Sequence, residues 1–248
     1  MSISIRMDGV NYQVGGRTIL NEFSLNLSPG ENRTILGVSG SGKTTILKLL
    51  LGLLKPQQGG IFLGDVNITT SPESEYREQR KKVAIVFQGA ALFDSMTVGE
   101  NVGYRLLEQG GYAIAQVESI VREKLSFVGI EHTLDLYPSE LSGGMKKRVA
   151  IARALAASPE FIFFDEPTTG LDPIGVYNIC SLLRRLQDAG VTTLTVTHDL
   201  ETAFTTSERF TFLHEAHAVF DGDRHGLQTC SHPAVQEFLA PTRASLFG

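Results

Sequence analysis

Apolar and polar positions change period several times along the chain, and each change marks an element. Residues 3–10 and 24–27 alternate or cluster apolar side chains as strands do, with Gly15-Gly16 reading as a turn between them. Pro29-Gly30 is a second turn, ahead of a short apolar run at 33–38 that reads as a buried strand. Residues 43–54 (K-T-T-I-L-K-L-L-L-G-L-L) read as an apolar helix, stopped by Pro56. A brief strand at 61–63 turns at Gly64-Asp65. The run 73–82 (E-S-E-Y-R-E-Q-R-K-K) is charged and reads as a solvated helix with i,i+4 pairs. Residues 83–87 form a strand ending at Gln88.

The second half continues the alternation. Residues 101–136 are helical in character and lie between strand-rich regions, so an inserted helical subdomain is expected. In 142–157 Met145, Val149, Ala152 and Leu155 share one helix face, and Ser158-Pro159 ends it. Residues 161–164 (F-I-F-F) have no polar face and read as a fully buried strand. A helix at 178–189 ends at Gly190, 191–197 is β-rich, and 201–207 is a short helix. Strands at 210–213 and 218–220 follow, with a turn expected at Asp221-Gly222. Strands alternating with helices predict an α/β fold with a mostly parallel central sheet. In such sheets ligands bind at the carboxyl ends of strands.

Composition narrows the classes. The 248 residues suit one large domain or a domain with an insertion, and 42% hydrophobic residues can bury a substantial core. A net charge of −5 argues against a general nucleic-acid binder. Cys180 and Cys230 form no C-x-x-C pattern, which fits a reducing compartment. His214-Glu215-Ala216-His217 is one residue short of H-E-x-x-H and makes no case for a metal. No signal-peptide pattern opens the chain. The most apolar run, 46–54, is too short for a bilayer and contains Lys48. A soluble chain is expected, with any membrane role coming through a partner.

The strongest chemical signal is Gly37-Val38-Ser39-Gly40-Ser41-Gly42-Lys43-Thr44, which fits the phosphate-binding pattern G-x-x-x-x-G-K-[ST]. Glycines let the backbone curl so that N–H groups point inward as an anion nest. Lys43 is long enough to reach β- and γ-phosphates, and the Thr44 hydroxyl can bind Mg²⁺. The loop alone does not say which triphosphate is bound. Asp165 and Glu166 end the buried strand at 161–164, where the first can hold Mg²⁺ and the second can polarise an attacking water. Gln88 reads either as an ordinary strand-end amide or as a contact to metal and water. His198 reads either as a helix-capping histidine or as a donor to a γ-phosphate. Leu141-Ser142-Gly143-Gly144-Met145 opens a long helix with a good N-cap and bare N–H groups, a second anion site. Two copies facing each other would complete two sites.

Taken together, 37–44, Gln88, 141–145, 161–166, Gly170-Leu171-Asp172 and His198 resemble the nucleotide-binding subunit of ABC transporters, in order and spacing over nearly the whole chain. The resemblance implies a RecA-like P-loop core, an N-terminal antiparallel β subdomain and an inserted helical subdomain. It implies one domain over 1–248, with 1–90 and 155–248 as the core and 91–154 as the insertion. It implies ATP and Mg²⁺, with ATP contacts at Gly37, Ser39, Gly40, Ser41, Gly42, Lys43, Thr44 and Thr45, and metal contacts at Thr44, Gln88 and Asp165. Glu166 is then the general base and His198 the γ-phosphate sensor. The homodimer it implies is head-to-tail: Ser142, Gly143, Gly144 and Met145 act on the other copy's nucleotide, and Asp172 lies at the seam. The family usually places an adenine-stacking aromatic before the first glycine turn. Here that position is Val14, with Tyr12 two residues earlier on the same face by period-2 alternation. Loose base selectivity is the expectation.

A narrower likeness concerns cargo. Residues 87–102 (F-Q-G-A-A-L-F-D-S-M-T-V-G-E-N-V), 138–148, Asp172-Pro173-Ile174 and the tail 232–239 are similar to the Mla-type, Mce-associated phospholipid transport ATPases. That likeness implies integral membrane permease subunits docking at 88–101, an Mce-domain lipid-binding protein and a small regulatory subunit as partners, no nucleic acid, and a place on the cytoplasmic side of the inner membrane. The tail ending at Gly248 leaves little room for a further regulatory domain. The alternatives are an importer of amino acids or another small solute and, in another class, a soluble ABC ATPase acting on DNA or ribosomes.

Overall fold

In the computed structural model residues 3–242 are described, which leaves the tail at 243–248 outside the described residues. β1 (Ile5–Val14) and β2 (Arg17–Leu27) form an antiparallel hairpin around Gly15-Gly16. β2 begins well before the expected strand at 24–27. Its polar Arg17, Thr18 and Glu22 stay outside while Leu20, Phe23, Leu25 and Leu27 turn inward. β3 (Asn32–Leu36) opens a second sheet and leads through the glycine loop into α1 (Lys43–Leu50). Gly52 (φ +69) stops α1 four residues sooner than Pro56 suggested. β4 (Gln58–Leu63) and β5 (Val66–Asn67) return to the first sheet, whose order is β2-β1-β4-β5, antiparallel throughout.

α2 (Glu73–Lys81) is the charged helix, burying only Tyr76, and β6 (Val83–Val86) follows it. The helical stretch at 101–136 is two helices, α3 (Val98–Gln109) and α4 (Ile114–Phe127). Gly110 and Gly111, both at positive φ, separate them. α3 starts one turn early because Thr97 and Glu100 form a reciprocal capping box. Asn101, fully buried, ties down the preceding loop. Its amide donates to the carbonyls of Phe93, Met96 and Thr97 and accepts from the Phe93 N–H.

α5 (Gly143–Ala156) leads to β7 (Phe161–Asp165), every residue of which is buried. α6 (Pro173–Asp188) starts five residues before the expected 178, with Asp172 as N-cap and proline at its first position. β8 (Thr192–Thr197), α7 (Leu200–Thr206), β9 (Arg209–His214), β10 (His217–Asp223), α8 (Arg224–Thr229) and α9 (Pro233–Leu239) complete the described chain. The turn expected at Asp221-Gly222 lies instead at Glu215-Ala216, both at positive φ. Asp221 is a sheet residue because its carboxylate accepts from Thr211, Arg209 and the buried Arg33.

The second sheet runs β10-β9-β3-β8-β7-β6, parallel except for β10. Period-2 alternation splits β7 between two cores. Phe161 and Phe163 pack with α1 and the antiparallel sheet, and Ile162 and Phe164 pack with α3 to α6. At roughly 1.5–3 kcal/mol per buried large apolar side chain, this strand is a main anchor of both layers. The parallel arrangement brings the chain segments after β3, β6, β7 and β8 to the same edge of the sheet.

Candidate functional site

That edge carries the chemistry. Gly37 leaves β3 so close to β9 that a Cβ there would stand 2.6 Å from the Leu213 carbonyl oxygen. Gly42, the N-cap of α1, has φ 106, and a Cβ there would meet Ile19 at 2.8 Å. No side chain caps α1, which leaves its first N–H groups for a ligand. Ser39 and Gly40 are exposed at the crest of the loop; Thr44 and Thr45 are partly buried in the first turn of α1. The Ser41 hydroxyl is buried without a hydrogen-bond partner.

Lys43 is 6% exposed and folds back into its own loop. Its Nζ donates to the carbonyl oxygens of Gly37 (2.8 Å) and Val38 (3.1 Å) and lies 3.8 Å from Glu166 Oε1. Burial pulls its pKa below the usual lysine range, against the pull of Glu166 and Asp165. The Thr44 hydroxyl donates to Asp165 Oδ1 at 2.9 Å. Burial raises the Asp165 pKa, the neighbouring Glu166 adds to the rise, and the Thr44 hydrogen bond opposes it. Asp165 and Glu166 are adjacent carboxyl groups in a buried setting, where a bound cation would offset their repulsion. Hydroxyl and carboxylate oxygens are hard donors of the kind Mg²⁺ takes, few in number, with phosphate and water left to complete the shell.

Glu166 follows β7 in a left-handed conformation (φ +48). Its N–H donates to the Val196 carbonyl of β8. Its Oε1 lies 2.9 Å from His198 Nδ1, and its Oε2 accepts from Thr197 (2.9 Å) and Thr169 (3.2 Å). Lys43, Thr44, Asp165, Glu166 and His198 thus form one connected group. Gln88 stands exposed in the turn after β6; among the described residues it has no hydrogen bond to that group.

Ser142 caps α5 by accepting from the Met145 N–H at 3.3 Å. Ser142 and Gly143 are exposed, with Gly144 and Met145 partly so. Asp172 is exposed and caps α6, accepting from the Gly175 N–H at 2.6 Å. No hydrogen bond or ion pair among the described residues joins Ser142–Met145 to the phosphate loop.

The adenine candidates divide. Tyr12 is 9% exposed and belongs to the core beneath the antiparallel sheet, so its ring face is closed to a base. Val14 is 56% exposed. Irregular pairing around Val10, Tyr12 and Gln13 breaks the alternation that had placed Tyr12 and Val14 on one face. Beside the phosphate loop a crevice of about 490 Å³ runs between Arg17, Ile19 and Asn21 of the hairpin and His214–His217 of the β9–β10 turn. These lining residues carry no motif. Thr169 and Thr197, which hold the Glu166 carboxylate, were equally silent, since only the tertiary fold brings them to it.

Known proteins share this arrangement. The family model described as ABC transporter matches residues 20–169. The intermembrane phospholipid transport system ATP-binding protein MlaF of Escherichia coli K12 is 37% identical over 236 residues, 95% of this chain and 88% of that protein. The probable ribonucleotide transport ATP-binding protein mkl of Mycobacterium tuberculosis H37Rv is 35% identical over 249 residues, 100% of this chain and 69% of that protein. The dimeric structure of a post-hydrolysis state of the ATP-binding cassette MJ0796 bound to ADP and Pi superposes with a TM-score of 0.80 at 32% identity, covering 88% of this chain and 98% of that one.

Proposed function

The chain belongs to the ABC transporter family, and from that premise we propose that it is the ATP-hydrolysing subunit of a bacterial transporter that moves phospholipid between membranes through a partner permease. The observation that carries the ATPase reading is the connected group at the sheet edge, in which a phosphate-loop lysine, a threonine–aspartate pair and a glutamate–histidine pair converge.

Each residue has a task. Lys43 exchanges the Gly37 and Val38 carbonyls for β- and γ-phosphate oxygens. Backbone N–H groups of 39–45 and the helix start hold the same phosphates. Glu166 accepts a proton from the attacking water, its carboxylate fixed by Thr169, Thr197 and His198 so that it does not reorient during the step. His198 and Gln88 orient water and γ-phosphate. Thr44 and Asp165, with Gln88, would hold Mg²⁺, which when bound neutralises charge on the phosphate oxygens. The crevice lined by Arg17, Ile19 and His214–His217 has room for sugar and base.

The exposed start of α5 supports a head-to-tail homodimer, in which Ser142–Met145 of one copy reads the nucleotide of the other and Asp172 lies at the seam. The dimeric relative bound to ADP and Pi supports the same reading. Residues 1–90 and 155–248 then serve as the core, and 91–154 as the arm that reaches the partner. For the permease, the support is a set of exposed apolar side chains on that arm. Phe93, Tyr104, Leu107, Tyr112 and Ile114 are exposed, with Phe93 and Tyr104 ring centroids 4.8 Å apart. Among the described residues no helix is long and apolar enough to cross a membrane. In this reading the chain acts peripherally, at the cytoplasmic face of the inner membrane, held by that permease. An Mce-domain lipid-binding protein and a small regulatory subunit belong to the same reading.

The cargo rests on the likeness to MlaF and to the 87–102 segment of its kind. The name of mkl points to ribonucleotides, so the test must separate the two. The chain is purified with its permease from native membranes, and co-purified small molecules are identified by mass spectrometry. Phospholipid in stoichiometric amount, with turnover stimulated in phospholipid vesicles, is the expected result. Stimulation by a nucleoside or another solute, with no retained lipid, would overturn it.

A further inference from the structure

Lys147 is 6% exposed and has no task in the reaction above. It lies in the second turn of α5, one helical turn past the exposed Ser142–Gly144. Its Nζ crosses to the main chain of the base, donating to the Glu166 carbonyl oxygen at 3.0 Å. Among the described residues the only other donor to that oxygen is the Thr169 N–H, at a weaker 3.4 Å. The left-handed Glu166 backbone is therefore held from two sides: by β8 through its N–H and by α5 through its carbonyl. A left-handed non-glycine residue persists only where its surroundings over-determine it, and Lys147 is one of the groups that do so.

We propose that Lys147 is a positioning residue linking the nucleotide-reading start of α5 to the main chain of Glu166, so that each copy's base is set when that copy engages the other's nucleotide. The proposal rests on the two-copy reading above. Ser142–Met145 contacts ATP bound to the second copy, whereas Glu166 serves ATP bound to its own. A displacement of α5 toward the partner's phosphate pulls on the Glu166 carbonyl through about six ångströms of lysine side chain. The two sites then fire together rather than independently. A methionine of similar length would fill the same space and leave the carbonyl with the weaker donor alone.

The experiment compares the wild-type chain with Lys147→Met, Lys147→Gln and Lys147→Arg. Steady-state phosphate release against ATP concentration gives kcat, KM and the Hill coefficient, and sedimentation in a Glu166→Gln background gives ATP-driven association. Lys147→Met is expected to lower kcat roughly 10- to 100-fold, as loss of a charged hydrogen bond at the base would. KM and association should stay within about twofold, and the Hill coefficient should fall from about 2 toward 1. Lys147→Arg, which can donate to the same oxygen, should recover most of kcat. A Lys147→Met chain with unchanged kcat and Hill coefficient overturns the proposal. So does a parallel loss of kcat, ATP affinity and thermal stability that Arg does not rescue, because that pattern marks a residue that only holds the fold. If Lys147→Met does not fold, Lys147→Gln carries the same readings. Sedimentation of the Glu166→Gln chain without the second substitution tests the two-copy reading by itself, and a strictly monomeric result there overturns both.

Discussion

In the proposed mechanism the chemistry turns on Glu166. Replacing it by Gln keeps the size and the hydrogen bonds but removes the proton acceptor. Glu166→Gln is expected to bind ATP normally and to lose roughly 10²- to 10⁴-fold in steady phosphate release; turnover within a few-fold of wild type would remove Glu166 from its role. Thr197 supports it from β8. Thr197→Val deletes the 2.9 Å bond to Oε2, and its signature should be a kcat lowered about tenfold with little change in KM. Tyr12 gives the opposite forecast. Because its ring is buried, Tyr12→Ala should lower thermal stability while the folded protein keeps ATP affinity within about twofold in a fluorescent-nucleotide titration, whereas stacking on adenine would make it primarily an affinity mutant. These three residues also mark how far single positions can be read. The place of Glu166 was legible because Asp165 and Glu166 directly follow a run with no polar face, which reads as a buried strand. Thr197 was hidden in a β-rich run whose other threonines are simply buried. Tyr12 was misplaced because alternation assumes an unbroken ladder, and the ladder around it is irregular.

Elements were legible where one physical signal dominated. The strand F-I-F-F and the face of Met145, Val149, Ala152 and Leu155 fall where periodicity put them. Boundaries set by caps were harder. α3 and α6 begin early because Thr97 with Glu100, and Asp172 with Pro173, satisfy the helix starts before the apolar pattern is visible. β2 was missed over residues 17–23 because its polar face hid a strand that is apolar only on alternate positions. The loop before α3 depends on a single amide. Asn101→Ala would free four hydrogen bonds in a buried setting, a cost of roughly 1–3 kcal/mol for each group left without a replacement partner. Since that loop carries the exposed Phe93, Asn101→Ala should keep ATP binding yet lose most stimulation of turnover by the permease. Equal stimulation of variant and wild type would separate the loop from docking.

At the scale of the whole molecule, the α/β architecture followed from strands alternating with helices, and the antiparallel first sheet followed from the family likeness. The second copy could not be read from periodicity at all. It is inferred from two helix starts, those of α1 and α5, that are each open to an anion, with no hydrogen bond or ion pair joining them among the described residues. The expected consequence is a concentration dependence. Per-chain ATP consumption should fall by more than tenfold on dilution well below the dimer dissociation constant, with light scattering reporting monomers over the same range. Constant specific activity through that dilution would mean that one copy suffices.

The Glu166 carboxylate is held by Thr169, Thr197 and His198, and under the proposed role this has a kinetic corollary. In the two-copy reading its carboxylate needs no new side-chain partner, so the meeting of two copies, which also moves α5, is the slow event that sets the clock of the cycle. Tethering both to one membrane scaffold raises their effective concentration to the millimolar range for short flexible connections. Stray subunits would idle while docked pairs run, and fuel would be consumed only where there is cargo to move.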